Sequence, residues 1–250
     1  GGYASAILCV RYGMAPLLAM GAGVALTGAL AYPVSRAVLR LQGHYLAMAT
    51  LGVGLIVSIC LNREIWLTGG PDGMSVPAFE AFGWRATKPV HLLWVAGAFL
   101  AVCIWLASNL VNSRAGRALR AIRASEVAAS TSGIDIASYK TKVFVLSACM
   151  ASLAGSIFAH ADRFISPAEA GFLRSIEFIT MIVFGGATSI AGAVLGAFTL
   201  TALPVVLAGL HEWRHVFVGL LLMVVVVLMP RGLVPTLGRH FRGWGRPRAL

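Results

Sequence analysis

Apolar residues form long runs along this chain, and short polar connections separate them. The runs cover 1–10, 14–35, 44–62, 90–110, 141–161, 176–208 and 214–230. A helix needs about 20 apolar residues to cross a hydrocarbon core about 30 Å thick. Most of the runs reach that length, whereas the first has the length of a helix end. The pattern predicts an all-α protein, a polytopic integral membrane helical bundle with about seven crossings plus a partial helix.

The polar stretch 111–140 is too basic to cross a membrane. Its basic side chains include Arg114, Arg117, Arg120, Arg123 and Lys140. Each arginine or lysine at a helix centre costs about 2.5–3.5 kcal/mol on insertion scales, and basic loops favour the cytoplasmic side. We therefore predict a transmembrane domain over 1–230 that contains a cytoplasmic loop at 111–140. A basic cytoplasmic tail follows over 231–250.

Composition and charge agree with a membrane protein. Of the 250 residues, 58% are hydrophobic and 12% are charged, whereas about a quarter of a soluble domain is charged. The net charge is +11, but the basic residues lie between apolar runs and in the tail. This distribution indicates a cytoplasmic membrane face in contact with lipid rather than a nucleic-acid partner. The first residues, GGYASAILCV, lie inside an apolar run, which predicts an N-terminally truncated chain.

Two glycine-rich stretches interrupt the apolar pattern. The run 176–208 is too long for one crossing, and GGATSIAG at 185–192 predicts a break between two helices. LTGGPDGMSVP at 67–77 follows another run. Paired segments broken by glycine or proline are typical of a transport path. An ordinary turn for the first stretch and close helix packing for the second remain alternative interpretations.

The sequence contains no catalytic, metal-binding or nucleotide-binding motif. A P-loop, HExxH and GxSxG are all absent, and the four cysteines lie in separate apolar runs without a CxxC pair. We therefore predict no cofactor and no metal site. Glu177 is the only carboxylate within an apolar run, and Arg174 lies three residues before it, where the two side chains can pair.

The stretch 116–134 has the pattern of an amphipathic helix. Apolar or small residues recur near helical spacing at Leu119, Ile122, Ala129 and Gly133. Arginines occupy neighbouring positions, and Glu126 is placed three residues after Arg123 to pair with it. We predict a short helix that lies across the cytoplasmic mouth and stops at Gly133. Such a helix rests either on the lipid surface or in a groove of a partner protein.

Several stretches together resemble the LivM-type permeases for branched-chain amino acids. GRALRAIRASEVAASTSGIDIASYK at 116–140 resembles their coupling loop, and EVAASTSG at 126–133 is similar to the EAA-type loop of ABC importer permeases. Similar motifs occur at 39–54, 67–75, 144–160, 166–197 and 230–233. One departure is that Val127 stands directly before Ala128 and Ala129, so the acid, Glu126, comes one residue earlier than in the EAA pattern.

This resemblance implies the fold of an ABC importer permease and a function in amino-acid uptake. The chain would be a multi-pass permease subunit in the bacterial cytoplasmic (inner) membrane. The implied partners are a second, related permease in a heterodimer, two cytoplasmic ABC ATPases and an extracytoplasmic solute-binding protein. The chain itself would not be an enzyme, because the ATPase partners would hydrolyse ATP.

The resemblance also implies which residues would couple ATP hydrolysis to transport. They are Arg117, Arg120, Arg123, Glu126, Ala128, Ala129 and Gly133. At the two glycine breaks we expect a translocation path, lined by Thr68, Gly69, Gly70, Gly185 and Gly186. Backbone groups at broken helices can contact the charged ends of an amino acid.

Three alternatives stay open. The cargo of the same kind of importer could be an amide, a urea-like compound or a carboxylate. A proton-coupled secondary transporter is disfavoured because it needs acids at mid-helix. A membrane-embedded enzyme is disfavoured because no catalytic set is visible.

Overall fold

The computed structural model describes residues 1–41, 43–81, 84–85 and 89–206. The helices are α1 (Gly2–Tyr12), α2 (Pro16–Val38), α3 (His44–Arg63), α4 (Ile65–Thr68), α5 (Pro89–Asn112), α6 (Arg114–Ala124), α7 (Glu126–Thr131), α8 (Ile136–Asp162), α9 (Phe172–Gly185) and α10 (Ile190–Val206). The predicted crossing at 214–230 and the predicted tail at 231–250 lie outside the described residues.

Four helices are long and apolar enough to cross a membrane. They are α2, α3, α5 from Val90 onward, and α8. They confirm the predicted helical, polytopic membrane architecture. By comparison, α1 has 11 residues and α9 has 14, fewer than the about 20 that an ordinary crossing needs. The figure of about seven crossings therefore stays a prediction.

Local capping chemistry sets where several helices begin and end. Pro16 stands at the start of α2, where its missing N–H costs no hydrogen bond. Gly13 ends α1 with a left-handed φ of 62°, a conformation that glycine adopts without strain. Asp135 caps α8 by accepting a hydrogen bond from the backbone N–H of Ser138.

The described residues fall into two compact units, one ending at Phe172 and one starting at Leu173. In the first unit α1, α2 and α8 pack against one another. Small buried residues such as Ser5, Ala19 and Ser156 let these helices approach closely. Thr27 Oγ1 also donates a hydrogen bond to Ser152 Oγ, 3.2 Å away, which joins α2 to α8.

The outer helices of this unit keep their apolar side chains exposed. No residue of α3 is buried, and large side chains of α3 and α5, such as Ile56 and Trp94, are exposed. An apolar surface of this extent suits contact with lipid or with another membrane-embedded chain.

The all-α prediction missed two very short antiparallel ladders in the connections. β1 (Met74–Ser75) pairs with β4 (Phe164–Ile165), and β2 (Glu80–Ala81) pairs with β3 (Trp84–Arg85). Strands of two residues carry no alternating pattern that a sequence could reveal. The β1–β4 ladder ties the connection after α3 to the connection after α8.

Candidate functional sites

The segment between α5 and α8 begins with a tight turn from α5 into α6. Ser113 caps α6, because its hydroxyl oxygen accepts a hydrogen bond from the backbone N–H of Gly116 at 3.2 Å. A β-carbon on Gly116 would collide with the carbonyl oxygens of Leu110 and Val111. Arg120 Nη1 donates to the same carbonyl of Val111 at 2.8 Å. The direction of α6 is thus fixed relative to the end of α5.

The prediction of one amphipathic helix across 116–134 is wrong in one respect. The structure has two helices, α6 and α7, and Ser125 between them has an extended backbone with φ −161° and ψ 118°. The Ser125 hydroxyl oxygen accepts a hydrogen bond from the N–H of Ala128 and so begins a new helix. Serine favours such caps because its side chain competes for backbone hydrogen bonds.

Most of the predicted coupling residues are exposed, as is Val127, whereas three other apolar residues of α6 and α7 are buried. Ala118 and Ile122 of α6 are buried, as is Ala129 of α7, which is only 2% exposed. Ala129 is therefore a packing residue that positions α7. We call the exposed set the α6–α7 surface, which consists of Arg117, Arg120, Arg123, Glu126, Ala128 and Gly133. Three of these side chains are cationic, so the surface is basic.

Glu126 pairs with Lys140 rather than with Arg123, the partner that the sequence spacing predicted. Lys140 Nζ lies 2.5 Å from Glu126 Oε1, and the pair connects α7 to the first turns of α8. The break at Ser125 explains the error, because Arg123 and Glu126 do not lie on one continuous helix.

We expect this ion pair to contribute modestly to stability. A double-mutant cycle with Glu126→Gln and Lys140→Gln should give a coupling free energy of about 0.5 kcal/mol, because the pair is partly exposed. The coupling should fall strongly in about 1 M salt, where screening acts over about 3 Å. It can be measured by unfolding the detergent-solubilised protein at low and high salt. Equal coupling at both salt concentrations would contradict an electrostatic origin.

Gly133 ends α7 in a left-handed conformation with φ 78°. Its N–H donates to the carbonyl of Ser130 at 3.0 Å, and the N–H of Ile134 donates to the carbonyl of Ala129 at 3.1 Å. These bonds close the C-terminus of α7 before the chain enters α8. The predicted helix stop at Gly133 is therefore confirmed.

Thr68 ends α4, and Gly69 and Gly70 form a compact turn directly after it. The Thr68 side chain is buried and its hydroxyl lies 2.6 Å from the carbonyl oxygen of Leu61 and 2.8 Å from that of Glu64. Gly69 and Gly70 both have positive φ, 81° and 63°. A side chain on Gly69 would collide with the carbonyl oxygen of Gly73. These contacts explain why threonine and two glycines stand at this turn. Their role in a translocation path stays a prediction.

Gly185 and Gly186 belong to the second unit, where α9 and α10 meet. α9 ends at Gly185 and α10 begins at Ile190, so the long apolar run is interrupted where the sequence predicted. A β-carbon on Gly185 would overlap the carbonyl oxygen of Gly192 and lie 3.1 Å from Cα of Gly196. Gly186 has φ 110°. The two helices thus touch through backbone atoms, and a path at this turn also stays a prediction.

Sequence reasoning assigned no role to His160, which lies in the last turn of α8. The side chain is fully buried at 0% exposure, and Nδ1 lies 2.8 Å from the carbonyl oxygen of Pro77. Only its position near the end of an apolar run was visible in the sequence.

In the second unit, the predicted pair of Arg174 and Glu177 is present at 2.8 Å.

Comparison with known proteins places this architecture in a family. The family model described as "Branched-chain amino acid transport system / permease component" matches residues 1–226. The chain belongs to this family. No solved structure shows a significant match to the chain.

Individual relatives support the assignment. LivM of Salmonella typhimurium, a high-affinity branched-chain amino acid permease protein, is 29% identical over 94% of this chain. The chain spans 61% of the length of that relative. LivH of Escherichia coli K12 is 27% identical, over 84% of this chain and 71% of its own length. LsrC of Klebsiella pneumoniae, an autoinducer 2 import permease, is 28% identical, over 82% of this chain and 59% of its own length.

Proposed function

We propose that this chain is the transmembrane permease subunit of an ATP-driven importer for branched-chain amino acids. The observation that carries the proposal is the family match over 1–226 together with an exposed basic surface between two membrane-capable helices, α5 and α8. In this assignment the α6–α7 surface lies in the cytoplasm and docks on an ABC ATPase subunit. The membrane is the bacterial cytoplasmic membrane.

The α6–α7 surface has features that suit transmission of force from such a partner. Its arginines are exposed for ion pairs with carboxylates, whereas Ile122 and Ala129 anchor the helices inward. Hydrogen bonds at Ser113 and Ser125 fix both helix starts. Closure of two ATPases would push this surface and reorient the helices in alternating access. A related second permease and an extracytoplasmic solute-binding protein would complete the importer.

The solute would pass near Thr68, Gly69, Gly70, Gly185 and Gly186. Backbone groups at these turns offer brief polar contacts to a zwitterion. Brief contacts of this kind suit a path of low affinity, so recognition would rest mainly with the solute-binding protein.

A different cargo is the second candidate, because LsrC, named for autoinducer 2 import, is similar over 82% of this chain. The importer should be assembled with its partner permease, ATPases and binding protein, and ATP hydrolysis measured with leucine, an amide and a small carboxylate. Stimulation by leucine supports the proposal. Stimulation only by another solute would support an importer with a different cargo. The absence of stimulation by any of the solutes would contradict the proposed function.

Substitution of Gly133 by leucine should weaken coupling without preventing insertion. A left-handed φ costs a residue with a β-carbon about 1–2 kcal/mol, which would loosen the end of α7. No atom lies within 4 Å of the added β-carbon, so the β-carbon itself causes no clash. Solute-stimulated ATP hydrolysis should fall for Gly133→Leu and remain higher for Gly133→Asn, since asparagine tolerates this conformation. Unchanged stimulation in Gly133→Leu would contradict the role.

A further inference from the structure

α8 runs from the α6–α7 surface to the opposite end of the first unit. It has 27 residues, which corresponds to a length of about 40 Å. At its start, Lys140 is paired with Glu126 of α7. Beyond its end, β4 is paired with β1. Both ends of α8 are therefore fastened to other elements.

His160, whose side chain is fully buried, makes several contacts near the far end of α8. A carbonyl oxygen only accepts hydrogen bonds, so the contact of 2.8 Å with Pro77 requires that Nδ1 carries the proton and donates it. Nε2 faces Sγ of Cys9 at 3.9 Å. The ring also meets Phe79 edge-on, with the ring centroids 6.3 Å apart. His160 thus contacts this connection at Pro77 and at Phe79.

Contacts that do not involve His160 also hold the residues around Pro77 against the end of α8. The N–H of Val76 donates to the carbonyl of Arg163 at 2.9 Å, and Val76 packs in a buried cluster with Ala159 and Ile165. We call Met74–Phe79 the strap. Gly73, directly before the strap, is close enough to Phe164 that an added β-carbon would lie 2.9 Å from the ring. The strap and the preceding glycine turn are therefore held against the end of α8.

We propose that His160 is a positioning residue that clamps the strap to α8, so that α8, the strap and the turn at Gly69 and Gly70 move as one body. This inference rests on the proposed function. Force applied to the α6–α7 surface would then travel along α8 and displace the turn at the opposite face. The competing arrangement is a strap that separates from α8 in each cycle, as a gate would.

The first test compares His160→Leu with His160→Asn in the assembled importer. Asparagine places an amide donor near the position of Nδ1, whereas leucine leaves the Pro77 carbonyl unpaired. We expect His160→Leu to reduce solute-stimulated ATP hydrolysis by about tenfold, the factor expected from an unsatisfied buried polar group. Basal ATP hydrolysis should remain unchanged, and His160→Asn should restore most of the stimulation. Full stimulation in His160→Leu would overturn the proposal.

A cross-link tests the same clamp without relying on His160. Met74 and Ile165 are paired across the β1–β4 ladder, so Met74→Cys with Ile165→Cys should form a disulfide in a chain whose natural cysteines are replaced by serine. The cross-linked importer should transport as well as the oxidised single variant Met74→Cys. Failure to cross-link, or transport that stops on oxidation and returns on reduction, would show that the strap separates and would overturn the clamp.

These outcomes are distinguishable from failure of the function itself. If the unmodified importer shows no solute-stimulated ATP hydrolysis, the proposed function fails. If the unmodified importer is stimulated and His160→Leu is stimulated equally, only the clamp fails. If His160→Leu does not assemble, the cross-link alone decides.

Discussion

Substitution of Gly116 by valine is expected to abolish most solute-stimulated ATP hydrolysis, because α6 would lose its fixed orientation relative to α5. The added β-carbon would collide with the carbonyl oxygens of Leu110 and Val111. These are backbone atoms in a turn that also holds the Ser113 cap, so relief requires the turn to open. Overpacking of this kind costs about 3 kcal/mol. The α6–α7 surface would then no longer have a fixed direction.

The matched control is Ala121→Val, which introduces the same side chain at an exposed position of α6. Both variants should be assembled with the partner subunits and assayed for stimulated and basal ATP hydrolysis. We expect a loss of stimulation only in Gly116→Val. Equal stimulation in the two variants would mean that the orientation of α6 does not control coupling.

Substitution of Gly185 by valine is expected to destabilise the second unit strongly. The β-carbon would overlap the carbonyl oxygen of Gly192, and the methyl groups would force α9 and α10 apart. Small residues at such crossings let the backbones touch, and a larger side chain removes that packing. We expect a loss of about 3 kcal/mol or more, the upper part of the overpacking range.

Thermal unfolding in detergent measures this effect. Gly97→Val in α5 is the control, because no atom lies within 4 Å of a β-carbon at that position. Gly185→Val should melt well below the unmodified protein, and Gly97→Val should melt close to it. A normal melting temperature for Gly185→Val would show that α9 and α10 are not in backbone contact.

Much of the helical architecture could be predicted because it depends on local pattern. Long apolar runs require spanning helices, and the glycines after Phe184 interrupt a run too long for one crossing. The end of α7 at Gly133 could also be predicted from the local sequence, because glycine adopts its φ of 78° without strain. These features follow from backbone sterics and from the cost of placing polar groups in hydrocarbon.

The contacts that define the sites depend on residues far apart in the chain. Glu126 and Lys140 are separated by 14 positions, and His160 and Pro77 by 83. The periodic pattern of apolar residues gives no indication of such long-range pairs. The break between α6 and α7 at Ser125 could have been predicted, because a serine directly before Glu126 is a helix-start signal. The continuous apolar spacing across 116–134 concealed it, since that spacing persists even when the helix is broken.

Accumulation of labelled leucine by vesicles tests the central claim most directly. The vesicles would contain this permease with its partner permease, ATPases and binding protein, and the proton gradient would be collapsed. We predict that ATP supports accumulation and that a non-hydrolysable nucleotide does not. Accumulation that disappears with the proton gradient and ignores ATP would contradict the account and indicate a secondary transporter.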